Sequence, residues 1–184
     1  LISTQLAALS LVQVGALSTD QVVALKASQV AVLTAPQTAA LTTAQVAALT
    51  TEQATALTTA QVQALGTSAV AALTTAQLPA LKVTQIAALS AASVAALSAS
   101  QLGVLTTAQI AALGSSQMAA LTTAQVAALG SSQATALTTD QAMALQTHDL
   151  VALTTANLRA LLTDQIAALT SMQVLALTTD QVLG

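Results

Sequence analysis

The chain has 184 residues, enough to bury a substantial core, and 55% of them are hydrophobic, yet it holds no aromatic residue and no cysteine. Only 5% are charged and the formal net charge is −3, so no basic face is available for nucleic acid, and disulfides and thiolate metal sites are excluded. The longest apolar run, residues 69–73, falls far short of the roughly 20 residues that cross a bilayer as a helix. High hydropathy is therefore a packing signal.

Leu stands at position 1 and at every eighth position to Leu177, so the chain divides into 23 octads with no remainder. Octad 1 is residues 1–8, and the positions are lettered a to h with Leu at a. Gln occupies e in 19 octads, and Ser or Thr occupies b in 15. Ser/Thr-x-x-Gln is a capping box: the b hydroxyl takes the amide three residues on, and the Gln reaches back to the amide at b. Leu at a and the aliphatic residue at f are then the two halves of a hydrophobic staple. A new N-cap every eight residues predicts a helix of about six residues in each octad, too short to stand alone.

Taken in order, octads 1 and 2 are atypical, with Ile2 and Leu11 near the helix starts. From Leu17 to Ala64 the pattern is clean, and Pro36 falls in a first turn, where a missing N–H costs little. The middle is looser, with Ala69 and Ser93 in place of Gln and Pro79 at g. Leu105 to Ala144 is clean again. The last octads carry His148, Asp149, Asn157, Arg159, Leu162 and Met172. No linker or shift of composition appears, so residues 1–184 read as a single repeat domain. Beginning in mid-pattern at Leu1, it reads as a segment of a longer chain.

These features predict an all-α solenoid of very short capped helices. One long helix fails because an eight-residue period drifts round the helix axis. A β-helix fails because Ala and Gln hold the places where β-branched and aromatic residues belong. Position d is Ala only in even-numbered octads, such as Ala44, Ala60 and Ala76, whereas odd octads carry polar residues or Pro36 there. That alternation predicts two octads, 16 residues, per superhelical turn, with d partly buried in even octads and exposed in odd ones. Charged residues avoid a, f and h, which marks those three as the core. Gln at e should be buried and satisfied by its capping box, with Asp149 and Asn157 still able to accept from a backbone amide. Ala69 should be a weak point.

No residue set is built for chemistry: the sequence offers no catalytic, cofactor-binding or metal residues, and the chain is read as no enzyme. His148 is the single histidine, a solvated first-turn residue whose side chain should point away from that of Asp149. Met118, Met143 and Met172 are packing residues. The c hydroxyls form an exposed polar surface that suits helix starts; stacked, they would also offer a row for glycan or ice.

Leu41-Thr42-Thr43-Ala44-Gln45-Val46-Ala47-Ala48 resembles the octapeptide arrays of large bacterial surface and secreted proteins of the adhesin-like repeat kind, and the resemblance covers the whole chain. The opening Leu-Thr-x-x-Gln-Val is also similar to that of the TAL effector repeat. There the likeness covers six residues per octad; the long repeat, base-reading loop and basic stripe are missing, so DNA binding is not carried over. The adhesin-like resemblance implies an extracellular or cell-surface bacterial location. Together with the repeat it implies a stalk, spacer or self-assembling filament wall, the alternative being a binding solenoid that offers one face to a protein, glycan or ice surface. No nucleic-acid partner and no transmembrane segment are expected. End-to-end self-association is.

Overall fold

The computed structural model describes residues 2–183. Every octad forms one short helix, from Ser3–Ala7 in octad 1 to Thr179–Leu183 in octad 23, and no strand occurs among the described residues. The fold is an all-α solenoid, with 23 short helices of four to six residues among the described residues.

Octad 6 shows why each helix starts where it does. Thr42 is extended (φ −71°, ψ 159°) and its hydroxyl accepts from the Gln45 N–H at 3.2 Å. Gln45 Oε1 in turn accepts from the Thr42 N–H at 2.7 Å. The helix Thr43–Ala48 ends as Leu49 returns to extended backbone (φ −53°, ψ 135°). Two extended residues, a and b, thus join successive helices, and no residue among those described has positive φ. The Gln half of the box works whatever stands at b, since it uses a backbone N–H: Lys26, Lys82, Gly114 and Leu162 all donate to the Gln three residues on.

The chain divides into two compact units, Leu1–Ala96 and Leu97–Gly184. Within each, a helix packs against the helix three octads on: octad 5 (Ala35–Ala39) against octad 8 (Thr59–Ala64) in the first unit, octad 16 (Thr123–Ala127) against octad 19 (Thr147–Ala152) in the second. Hydrogen bonds between turns join residues 25 to 31 apart and centre on 28. A rung reaches back three residues to its own helix start, so the stacked backbones are about 25 residues apart, as the Thr55–Ala80 and Thr135–Ala160 bonds also are; a turn is therefore about three octads, which corrects the expected two. Two octads per turn would require the chain to reverse direction over two extended residues, whereas three octads per turn ask each junction for only about a third of a full turn.

The same geometry removes the expected alternation at d. Ala44, Ala60, Ala76, Ala108 and Ala124 of even octads are exposed, as are Glu52, Ser68 and Ser116 of odd ones. With three octads per turn, each octad stacks on one of the opposite parity, so neither class has a fixed side. The core is made by a, e and f. Leu49, Gln53 and Ala54 are buried, as are Leu145, Gln173 and Leu150. Position h, expected in the core, is half-buried at Ala48 and Ala112 and exposed at Ala80 and Ala128. It lies at the helix C-cap, where the chain is already leaving the interior. Each buried Leu or Val contributes about 1.5–3 kcal/mol, so an octad with one of each holds a short helix that could not form alone.

Candidate functional site

Burying a glutamine in most octads is the unusual feature of this interior, and its amide explains the fold. The capping box uses only Oε1. Gln45 Nε2 donates to the carbonyls of Val14 (2.9 Å) and Leu17 (2.7 Å), the f and a residues of the turn before. Gln53 repeats this with Val22 and Leu25, and Gln77 with Val46 and Leu49. In the second unit Gln141 takes Ile110 and Leu113, and Gln173 takes Ala142 and Leu145. Each of these Gln is a rung that caps its own helix with one end and ties it to the previous turn with the other. The sequence pattern showed the first half through its three-residue spacing. The second half spans 28 to 31 residues, and no local spacing announces it.

Four rungs differ. Ala69 has no amide to offer, and its helix (Thr67–Ala71) has no side-chain cap. Ser93 is too short to cross to the next turn; its hydroxyl pairs with Ser90 Oγ at 2.9 Å. Asn157 does cross: Nδ2 donates to the Leu129 carbonyl, 28 residues back, while Oδ1 accepts from Ser131 Oγ at 2.9 Å. Asp149 stands the same way, with Oδ1 accepting from Thr123 Oγ1 at 2.8 Å. Its Oδ2 is buried with no hydrogen-bond partner, where Asn157 has its donating amide. The expectation that both would accept from a backbone amide is corrected: both are too short for that, and both accept a hydroxyl from 26 residues back. Beside Asp149, Gln146 at b supplies the missing donor, its Nε2 reaching the Ala119 carbonyl at 2.8 Å.

His148 is exposed, as expected, at 62%, but it does not point away from Asp149: Nε2 lies 3.3 Å from Oδ1. The imidazole is long enough to fold back over the helix start onto the carboxylate. The third group there is the Thr123 hydroxyl on Asp149 Oδ1, and among the described residues no three of His, Cys, Asp and Glu gather. Met118 is buried in the core, while Met143 and Met172 are exposed, so only the first packs inside. The b hydroxyls are committed to capping, and at c Thr43, Thr59 and Thr75 face solvent.

The surface gathers charge in one place. A groove of about 500 Å³ on the first unit is lined by Ala27, Thr51, Glu52, Thr55, Ala80 and Lys82, and a neighbouring one by Lys26, Glu52 and Thr50. Glu52 is shared between them. No helix among the described residues is long and apolar enough to cross a membrane.

A family model described as the ALTTAQ repeat matches residues 55–83, 84–115, 110–147 and 142–179. No curated protein and no solved structure matches the chain.

Proposed function

The chain belongs to the ALTTAQ repeat family, and from that premise we propose that it is a structural spacer, a stalk or filament wall of an extracellular or cell-surface bacterial protein with no catalytic role. One observation carries this reading. The same rung recurs in most octads of both units, so when an octad is added or lost each Gln still meets carbonyls of the same two kinds, f and a. Such an interior serves length rather than chemistry. The outer surface, with Thr or Ser at most c positions and Ala at 11 of the 23 g positions, gives a partner little to grip. The extracellular location is supported by the resemblance of the octad to adhesin-like arrays.

The test removes whole octads from the array within its parent gene and follows the parent's activity, with surface labelling of intact cells to locate the repeat. A spacer tolerates substitutions at c, d and g and responds to the number of octads. Loss of activity on a single substitution at an exposed position, with octad number unchanged, would overturn it. The groove around Glu52, flanked by Lys26 and Lys82, favours the alternative of a binding face on the first unit. Saturable retention on a glycan array that Lys82→Ala abolishes would establish that reading instead.

A further inference from the structure

Two broken rungs of the first unit lie one above the other. Ala69 and Ser93 both stand at e, in octads 9 and 12. The helix of octad 9 (Thr67–Ala71) packs against Thr43–Ala48 of octad 6 on one side and Ala91–Ala95 of octad 12 on the other. A rung's amide sits between the a carbonyl of one turn and the b N–H of the turn that follows: Gln77 joins the Leu49 carbonyl to the Thr74 N–H. At this corner the join is missing twice in succession. Among the described residues nothing bonds the Leu41 carbonyl or the Gly66 N–H, which a rung at position 69 would link. The Leu65 carbonyl and the Ser90 N–H, which a rung at position 93 would link, are equally without a partner. Octad 9 also lacks a cap hydroxyl, since Gly66 stands at b, and a Cβ there would meet nothing within 4 Å. The turn before brings Thr38 to f, where the octads beside it have Val30 and Val46; its hydroxyl turns back onto the Thr34 carbonyl at 3.1 Å. The neighbouring corners are intact: Gln61 ties Val30 and Leu33, Gln77 ties Val46 and Leu49, and Gln85 ties Ala54 and Leu57.

We infer that this corner is a one-sided hinge, which opens between octads 6, 9 and 12 while the corners beside it hold. With about three octads to a turn, the solenoid has three corners, and an amide ordinarily holds each of them once per turn. Loss of one hold leaves the turns joined along the other two corners, so parting becomes rotation about the intact side. A second loss at the same corner adds to that rotation, whereas a loss at another corner would oppose it. Opening an intact corner breaks the bonds of a rung. Opening this one breaks no rung and lets water reach four peptide groups that lack a partner, which favours the open state. Burial of Val70, Leu73 and Val94 works the other way and closes the seam. The short rungs of the second unit make no such hinge. Asp149 and Asn157 lie in consecutive octads, at different corners, and each keeps a bond to the turn before. The hinge stands on these hydrogen bonds and does not rest on the spacer reading.

Electron paramagnetic resonance between paired spin labels on the 184-residue chain tests it, and the absence of cysteine leaves only the introduced thiols to label. Ala44→Cys with Ser68→Cys, and Ser68→Cys with Ala92→Cys, put labels at exposed d positions across the seam. Ala60→Cys with Thr84→Cys puts them on octads 8 and 11, where Gln85 is in place, as the control. The distance distribution across the seam should be about twice as broad as that of the control. Ala69→Gln with Ser93→Gln should narrow it to the control width. Ala69→Asn with Ser93→Asn should narrow it as well, because Asn157 ties its turn to the one before without closing a capping box, and Thr43 and Thr67 stand to these positions as Ser131 stands to Asn157. Equal widths at seam and control, before any repair, would overturn the hinge whether or not the repaired chains fold. Narrowing by the Gln pair alone, with the Asn pair helical by circular dichroism, would show that capping governs the width and would overturn it too.

Discussion

The two units lose rungs in different ways. The first loses the polar group: Ala69 offers nothing, and Ser93 only a hydroxyl that turns to Ser90. The second keeps a polar group and shortens it, with Asp149 and Asn157 gaining a hydroxyl partner from the turn before. The contrast separates the two tasks of a rung. Crossing to the previous turn needs an amide, and Asn157 manages it with one methylene fewer. Capping the helix at its own start needs the full length of Gln, and no shorter residue here does it. Between those limits, Asp149 is the misfit, because it has the shape of Asn157 and an acceptor where a donor belongs.

Turning a regular rung into a broken one should have the largest effect. Gln77→Ala would strip the Thr74 N–H and the Val46 and Leu49 carbonyls of their partner and leave a cavity. A loss of about 2–5 kcal/mol in urea unfolding is expected; a loss under about 1 kcal/mol would show that water replaces the rung. Repairing the misfit comes next. Asp149→Asn should let an amide meet the Leu121 carbonyl as Asn157 meets that of Leu129, and stabilise by about 1–3 kcal/mol. The contact given up with exposed His148 is worth less. A destabilised variant would refute the equivalence of the two octads. Ala69→Gln should gain about 1–2 kcal/mol by supplying an amide to the Leu41 carbonyl and an acceptor to the Gly66 N–H, and slower hydrogen exchange at Gly66 would report the new cap. The smallest change is expected for Thr55→Ala. It removes one hydroxyl that bonds the Ala80 carbonyl at 3.2 Å, for about 0.5–1 kcal/mol, best read as a shift in melting temperature.

Much of this was legible in the octad itself. Thr42, Gln45, Leu41 and Val46 announce a helix start through spacings of three to five residues, and the structure places the cap and box there. Burial of Gln was legible too. What Gln does with its amide was not, since the acceptors of Gln45 lie at Val14 and Leu17, a distance along the chain that only the turn size defines. Turn size itself depends on the bend at two extended residues such as Leu49 and Thr50, whose identities are equally compatible with other bends. The alternation of Ala and polar residues at d suggested a turn of two octads. It is a true feature of the sequence, but all those positions lie outside, and nothing in the structure explains it. The approach of His148 to Asp149 was missed because spacing rules describe where Cβ atoms lie and not where a long side chain ends.

A turn of about three octads has a consequence for inheritance of length. If copies of the octad are gained or lost one at a time, each event moves everything beyond it partway round the axis as well as along it, like the hand of a clock. Only a change of about three octads, one complete turn, restores the bearing. Within each unit, octad number therefore encodes a compass direction together with a distance, and arrays differing by one octad would aim whatever follows them toward different quarters.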